Sequence, residues 1–252
     1  GISSAETLTI EDCAVSGNRV YGSHVDESMG GGVYSSGALT VLGSDVTDNV
    51  VEGWNVREAQ GGGIYSSGSL QVRNTTIAGN EVVATDYYVN ARGGGVASVG
   101  NLEIRASTIT DNRAVAGTYD AGAHGGGVYS TGSLAIARTT VANNVSSADG
   151  IDIRMSGGGL HGSGRVWNCT FSGNRTGTKS YEGEGGTAFG GGMYGDLWIH
   201  NTTIVANRAD IDGTALGRVA GGGVYAGRES RLVSTIVAGN EVDAPFTDGP
   251  AA

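Results

Sequence analysis

Short runs in which apolar and polar residues alternate recur along the whole chain. Leu39-Thr40-Val41, Leu70-Gln71-Val72 and Leu102-Glu103-Ile104 are three of these runs, and Gly, Ser and Asn separate them from their neighbours. Alternation with a period of two residues is typical of β-strands with one buried face. No segment has the 3.6-residue period of an amphipathic helix, so the chain is predicted to be all-β.

A glycine triplet followed by an apolar residue marks the same point in every repeat. Successive triplets start 31 to 33 residues apart, at Gly30, Gly61, Gly93, Gly125, Gly157, Gly190 and Gly221. A repeat of this length made of short strands predicts a solenoid, in which each strand lies about 4.8 Å from its counterpart in the previous repeat. The predicted fold is a right-handed, single-stranded parallel β-helix of about eight coils, each with three strands. It is expected to occupy residues 1–240, with residues 241–252 as a tail or linker.

An asparagine occupies a second fixed point of the repeat, three residues after an apolar position. The asparagines are Asn18, Asn49, Asn80, Asn112, Asn144, Asn174, Asn207 and Asn240. Stacked side-chain amides at a corner of a solenoid can hydrogen-bond along the axis, and asparagine tolerates left-handed backbone there. The column therefore predicts an internal structural ladder, in preference to a ligand site.

Between each asparagine and the next glycine triplet lies a segment of 11 to 15 residues without a shared sequence, here called an arm. The arms are residues 19–29, 50–60, 81–92, 113–124, 145–156, 175–189 and 208–220. They are predicted to form one loop per coil along one edge of the solenoid, where variable loops commonly carry binding residues. The candidate binding or interface residues are Trp54, Tyr87, Tyr88 and Tyr119. Alternatively, these aromatic side chains fold back to cover the sheet.

A row of aromatic residues follows the apolar residue after each glycine triplet. It contains Tyr34, Tyr65, Tyr129, Tyr194 and Tyr225, with Ala97 and His161 at the two remaining positions. Because the preceding residue is expected to point inward, these side chains are expected to form an exposed row along the solenoid. Stacked phenol rings could stabilise neighbouring coils, and the same row could bind sugar rings or another molecule.

The glycine triplets and asparagines together resemble a known group of repeats. The pairing of Gly-Gly-Gly-Val/Ile-Tyr with segments such as Phe171-Ser172-Gly173-Asn174 is similar to the repeats of polymorphic outer-membrane proteins, and more widely to bacterial β-helix surface proteins of pectin-lyase-like architecture. The resemblance covers residues 5–240. It implies an exported protein that acts in adhesion, as a surface stalk or as an autotransporter passenger, although no outer-membrane barrel or anchor is visible in the chain.

Charge and composition exclude several functions. The net charge of −10 argues against nucleic-acid binding, which requires Lys and Arg to neutralise phosphates. No apolar run is long enough for a membrane-spanning helix. Neither a metal motif nor a cofactor motif is present, so none is expected. The histidines His24, His124, His161 and His200 are far apart in the sequence, and no paired Asp-Asp motif occurs, so no catalytic residue is assigned.

These observations predict a non-enzymatic extracellular or cell-surface protein, a structural unit of a fibre or stalk or an adhesin segment. Its expected partner is a second copy, through end-to-end or lateral contacts, or a glycan or protein on a host or neighbouring cell surface. End-to-end stacking is suggested because no capping segment is recognisable at either end of the coils. A polysaccharide-active lyase or hydrolase is the alternative, since enzymes of that class use this architecture.

Overall fold

The structure is a computed structural model that describes residues 1–179, 186–212 and 217–243. It is a parallel β-solenoid, as the repeat predicts, with strands as its only regular secondary structure in these ranges. The described residues include no helix long and apolar enough to cross a membrane.

The first four coils have five strands each. They are β1 (Ile2–Ser4), β2 (Leu8–Glu11), β3 (Ala14–Ser16), β4 (Arg19–Ser23) and β5 (Glu27–Met29); β6 (Val33–Ser35), β7 (Leu39–Leu42), β8 (Asp45–Thr47), β9 (Val50–Trp54) and β10 (Glu58–Gln60); β11 (Ile64–Ser66), β12 (Leu70–Arg73), β13 (Thr76–Ala78), β14 (Glu81–Tyr87) and β15 (Asn90–Arg92); β16 (Val96–Ser98), β17 (Leu102–Arg105), β18 (Thr108–Thr110), β19 (Arg113–Tyr119) and β20 (Gly122–His124).

Coils five to seven repeat this order, and four strands of an eighth coil are described. They are β21 (Val128–Ser130), β22 (Leu134–Ala137), β23 (Thr140–Ala142), β24 (Val145–Ile151) and β25 (Arg154–Ser156); β26 (Leu160–His161), β27 (Gly164–Trp167), β28 (Thr170–Ser172), β29 (Arg175–Lys179) and β30 (Thr187–Phe189); β31 (Met193–Gly195), β32 (Leu197–His200), β33 (Thr203–Val205), β34 (Arg208–Asp212) and β35 (Arg218–Ala220); β36 (Val224–Ala226), β37 (Arg231–Val233), β38 (Ile236–Ala238) and β39 (Glu241–Asp243).

Corresponding strands of successive coils pair in parallel and form five sheets, named A to E in the order in which each coil passes through them. The register preserves the repeat, since Leu39 pairs with Leu70 and Leu70 pairs with Leu102. The last described strand, β39, pairs with β34 and continues sheet D into the segment assigned to a tail. Residues 244–252 of that segment lie outside the described ranges.

The prediction of three strands and an arm loop per coil is wrong for the arms. Each fully described arm contains two strands, one in sheet D and one in sheet E. The arms alternate as strands do, but about half of the residues in their core are alanine, such as Ala84, Ala91 and Ala116. Because alanine is a poor marker of a buried strand, the two-residue period is hard to recognise in these segments.

The solenoid has two lobes with separate cores. Sheets A, B and C enclose the larger core, which contains Leu39, Ile77, Ile104 and Phe171. Sheets D and E enclose a narrower core that is rich in alanine and also contains Met155. The two clusters share no residue, so each coil has a waist between its main lobe and its second lobe.

Glycine triplets and asparagines form this waist. A Cβ atom at Gly31 would lie 2.8 Å from the carbonyl oxygen of Val50, and one at Gly32 would lie 2.9 Å from the amide group of Asn49. Real Cβ atoms do not approach other atoms so closely, and therefore only glycine can pass between the lobes at these positions. The first glycine of each triplet, such as Gly30 with φ +67°, also turns the chain sharply from sheet E into sheet A.

The eight asparagines form one hydrogen-bonded column at this waist. In the centre of the column, the Asn80 side-chain amide donates to Asn112 Oδ1 over 2.9 Å, and Asn112 donates to Asn144 Oδ1 over 2.9 Å. The same contact joins every adjacent pair, and each acceptor also receives the backbone N–H of the asparagine before it. The column satisfies polar groups that would otherwise be buried without partners between two apolar cores.

Candidate functional site

The tyrosine row lies in the concave corner where sheet E meets sheet A. The residue before each tyrosine points into the core, as expected, so the rings point out of the main lobe. The expected exposure is nevertheless wrong for Tyr65 and Tyr129, which are only 6% and 8% exposed, and the remaining rings of the row are partly buried, namely Tyr34, Tyr194 and Tyr225. Arg92 and His124, at the ends of the sheet E strands β15 and β20, lie against the Tyr129 ring, because the turn at the glycine triplet folds the second lobe toward sheet A.

Aromatic stacking joins the coils along this corner, here called the seam. Tyr34 stacks on Tyr65 at 5.5 Å between ring centroids, and Tyr194 stacks on Tyr225 at the same distance. His161 lies between Tyr129 and Tyr194, at 5.1 and 4.8 Å. Such contacts between coils stabilise the solenoid beyond the backbone ladders.

Arg92 crosses the break that Ala97 leaves in the aromatic row. Its guanidinium group lies 5.3 Å from the centre of the Tyr129 ring, and its Nη1 atom is 2.6 Å from a carboxylate oxygen of Glu58. Gln60 donates a hydrogen bond of 2.7 Å to the same carboxylate. The small side chain of Ala97 thus leaves room for Arg92, whose contact with Tyr129 joins the second lobe to the main lobe, while its ion pair with Glu58 joins two strands of sheet E.

A serine flanked by two histidines lies further along the seam. Ser156 Oγ is 2.7 Å from Nδ1 of His124 and 2.6 Å from Nδ1 of His161. The two rings are 5.3 Å apart, although the two histidines lie far apart in the sequence. The sequence offers no signal for the contact, since it depends on the arm returning to sheet A across the glycine triplet.

The histidines of this cluster are held in their neutral form. Burial, followed by the positive charge of Arg92, lowers the pKa of His161 to about 4. Burial, the neighbouring His161 and the two arginines Arg92 and Arg154 lower the pKa of His124 well below its usual value. With both rings neutral, the single hydroxyl proton of Ser156 is donated to one imidazole, and the other imidazole donates its N–H to Ser156 Oγ.

This arrangement resembles a nucleophile and its base, but its geometry favours a structural role. Ser156 is 5% exposed, and both its proton and a lone pair are used by the two rings. No carboxylate bonds to either imidazole in the described hydrogen bonds, and Arg92 lies nearby instead. Within the described ranges, no cluster of three or more His, Cys, Asp or Glu side chains could hold a metal ion.

The other candidate aromatic residues lie at the tips of the second lobe, where sheet D turns into sheet E. Tyr87 and Tyr88 are 62% and 64% exposed, and Trp54 is exposed beside His24, with ring centroids 4.5 Å apart. The alternative that these side chains fold back over the sheet is wrong for all three. Tyr119 is partly buried, because Tyr87 and Tyr88 both contact its ring.

The turns that carry these residues share one backbone feature. The first residue after the sheet D strand has a positive φ angle in each of the first five coils, at His24, Asn55, Tyr88, Asp120 and Asp152, with values between 45° and 60°. Histidine, asparagine and aspartate are common in this left-handed region, whereas a large aromatic residue is rare there. Tyr88 is therefore strained as well as exposed.

A further surface was missed at the sequence level, on the outward face of sheet B. Arg105 lies 5.5 Å from the ring centre of Trp167, and Arg165 lies 5.6 Å from that of the exposed Trp198. Each pair joins residues from different coils, so the alternating sequence alone does not bring them together. A shallow pocket of about 350 Å³ adjoins Trp198 and is lined also by Ile199, His200, Arg231 and Val233.

Comparison with known proteins does not assign a function to these surfaces. Protein-family models, curated proteins and solved structures were each compared with the chain, and no match was found in any of the three.

Proposed function

We propose that the chain is a non-enzymatic module of an exported surface protein, in which a stiff solenoid serves as a stalk or adhesin segment. The tips of the second lobe are its contact surface. The observation that carries this proposal is the exposure of Trp54, Tyr87 and Tyr88 on turns that a continuous ladder of strands holds in place. Exposed aromatic residues on a rigid scaffold commonly mark sites of interaction.

The resemblance of the repeats to polymorphic outer-membrane proteins and autotransporter passengers supports the extracellular part of the proposal. That resemblance rests on the glycine triplets and asparagines, which the waist requires for packing. It therefore supports a shared architecture more directly than it supports a role in adhesion. The proposed partner is a glycan or protein on the surface of a host or neighbouring cell.

Adhesion is tested by immobilising the chain on beads and measuring their attachment to cell surfaces and to a glycan array. The variant Trp54→Ala/Tyr87→Ala/Tyr88→Ala is expected to lose most of the attachment while its melting temperature stays the same, because the three side chains are exposed. Tyr21→Ala, which removes a ring that is 65% exposed on sheet D, is the matched control. Equal attachment of both variants, or release of reducing sugars from a polysaccharide, would contradict the proposal.

Self-association is the second part of the proposal. The inward residues Leu232, Val237 and Val242 of the eighth coil are exposed, whereas Ile10 and Val15 of the first coil are buried. Within the described ranges, the strands of the eighth coil pair on one side only, so these exposed core positions favour a further coil on this face, and we propose that a second copy supplies it. Electron microscopy over a range of concentrations should show rods that lengthen. Rods of constant length, or lengthening that Val237→Arg leaves unchanged, would refute it.

A further inference from the structure

Three tyrosine rings meet at the tip of the second lobe in an arrangement that favours one chemical class of ligand. The Tyr119 ring lies 6.1 Å from that of Tyr87 and 6.2 Å from that of Tyr88, at interplanar angles of 47° and 70°. Tyr87 and Tyr119 are register neighbours on β14 and β19, and Tyr88 begins the turn that follows. The rings therefore surround a corner and do not form a flat platform.

The space beside these rings is open. Gly117 faces outward two residues before Tyr119, and a Cβ atom placed on it would have no neighbour closer than 3.7 Å. The register places Thr85 on one side of Gly117 and Asp149 on the other. A small group could thus lie over Gly117 with aromatic faces beside it.

The charged residues at the tip determine whether a cation or an anion is favoured there. Asp86 immediately precedes Tyr87, and Asp120 immediately follows Tyr119. Asp120 is 3.6 Å from Arg154, and Asp86 accepts the backbone N–H of Tyr87 over 2.8 Å. Arg154 offsets the charge of Asp120, but Asp86 has no ion pair among the described contacts, so the tip keeps a negative charge within a chain of net charge −10 and favours a cation.

From these contacts we propose that Tyr87, Tyr88 and Tyr119, with Asp86 and Asp120, bind a quaternary ammonium group. Ring faces attract a cation through their quadrupole, and a compact trimethylammonium group can touch several non-parallel rings at once. A sugar ring would need one broad exposed face, which the angles of 47° and 70° do not provide. The proposal depends on the proposed function only in taking the second-lobe tips as the contact surface.

Strain at Tyr88 agrees with this assignment. Four of the five corresponding turn positions carry His, Asn or Asp, which adopt a positive φ more easily than tyrosine does. A strained residue persists where surrounding structure fixes it, and such residues cluster at ligand sites. Tyr88 supplies the ring that stands most nearly perpendicular to Tyr119.

The site is tested by titrating the whole chain with tetramethylammonium and with choline, followed by NMR of the ligand methyl groups and the tyrosine rings. Saturable, millimolar binding with ring-current shifts of the methyl protons is expected. The neutral isostere 3,3-dimethylbutanol has the same shape without the charge, so it should bind several-fold more weakly. Equal binding of the neutral isostere, or no saturable shift with either cation, would overturn the proposal.

Variants assign the binding to this corner. Tyr119→Leu and the exposed-site change Tyr87→Ala should each weaken tetramethylammonium binding by about 2- to 5-fold, the effect of one cation–π contact at an exposed site. Tyr119→Phe should retain binding, and Tyr21→Leu, at an exposed ring elsewhere on sheet D, should not change it. Equal affinities of Tyr87→Ala, Tyr119→Leu and Tyr21→Leu would refute the assigned residues.

A second set of ligands tests which kind of molecule carries the ammonium group. Choline and trimethyl-lysine are expected to bind alike, whereas phosphocholine should bind more weakly, because its phosphate would approach Asp86 and Asp120. Asp120→Asn should reduce this difference. Cell-surface attachment without tetramethylammonium binding would refute the ammonium site and leave the adhesion proposal standing. Tetramethylammonium binding without cell-surface attachment would refute the adhesion proposal and leave the ammonium site standing.

Discussion

At the scale of single residues, the waist depends on side chains that are buried and polar. Asn112 is fully buried, donates to Ile77 O and Asn144 Oδ1, and accepts from the backbone and the side chain of Asn80. The asparagine column is therefore expected to be as sensitive to substitution as the apolar core itself.

The substitution Asn112→Ala is predicted to lower the free energy of unfolding by about 2–4 kcal/mol, because it leaves a buried N–H group and a buried carbonyl without partners. Chemical denaturation measures the change. Asn101→Ala, the same substitution at an exposed position, should stay within about 0.5 kcal/mol of the parent. A small effect at Asn112 would show that the column contributes little.

Tyr88→Asn is predicted to raise the free energy of unfolding by about 0.5–1 kcal/mol, because asparagine accepts the positive φ angle at lower cost. Asn55 occupies the corresponding turn in the second coil. The same variant should weaken tetramethylammonium binding. A variant that is less stable than the parent in thermal melts would mean that the ring of Tyr88 contributes more by packing than its backbone costs.

At the scale of elements, the glycine triplet lets the chain pass beside the asparagine column and the next coil, where a side chain would not fit. A Cβ atom at Gly95 would lie 2.8 Å from the carbonyl oxygen of Gly127 and 3.0 Å from the amide carbon of Asn112. Both atoms belong to buried, hydrogen-bonded groups that have little freedom to move. The triplet is thus a packing requirement, in addition to a means of turning the chain.

Gly95→Ala is accordingly predicted to destabilise the protein by about 1–3 kcal/mol, the usual cost of overpacking a buried site. Gly117→Ala is the matched control, since its Cβ would have no neighbour within 3.7 Å and its φ is not positive. Thermal unfolding should leave the control near the parent value. Equal melting temperatures for the two variants would show that the lobes can separate without cost.

The seam is predicted to weaken in acid. His161 has a folded-state pKa of about 4, below the value near 6.5 expected in the unfolded chain. The unfolded state therefore binds more protons between these values, and the free energy of unfolding should fall as pH decreases from about 6.5 to about 4. The loss from His161 should reach up to about 3 kcal/mol, with a further loss from His124, whose pKa is lowered in the same direction.

Denaturation at several pH values, compared between the parent and His124→Gln/His161→Gln, measures this contribution. The double variant should lose most of the dependence in this range, whereas His200→Gln, at an exposed histidine, should keep it. A parallel slope for the parent and the double variant would contradict the pKa values assigned to the seam.

The sequence predicts the solenoid and its register, but it does not predict the second lobe. Long-range repetition identifies the solenoid and its register, because Leu70 and Leu102 can pair only if each repeat forms one coil. The second lobe is not predicted, because small inward residues such as Ala84 and Ala116 conceal its alternation. The covering of Tyr129 and the contact between His124 and His161 depend on the angle between two sheets, which no local pattern encodes.

At the scale of the whole molecule, each coil is stabilised by the coils on both sides, so identical residues should differ in importance along the axis. Val141 and Val237 occupy the same inward column of sheet C, but Val141 is fully buried and Val237 is 49% exposed. A single value for the stability of a repeat therefore does not apply to the eighth coil.

Val141→Ala is predicted to cost about 2–3 kcal/mol, and Val237→Ala less than about 1 kcal/mol, since the second removes methyl groups that already contact solvent. Both are measured by denaturation at low protein concentration. If a second copy covers the eighth coil at high concentration, the cost of Val237→Ala should increase there. Equal costs under dilute conditions would contradict the exposure of Val237.

The waist also has a consequence for how this protein can change. Because backbone and amide groups alone separate the two cores, an altered turn at a second-lobe tip need not disturb a single apolar contact in the main lobe. Arm lengths of 11 to 15 residues are already accommodated within one register. Tips from different coils should therefore be exchangeable. A new binding site could then arise at the tip of one coil without changes to the main lobe.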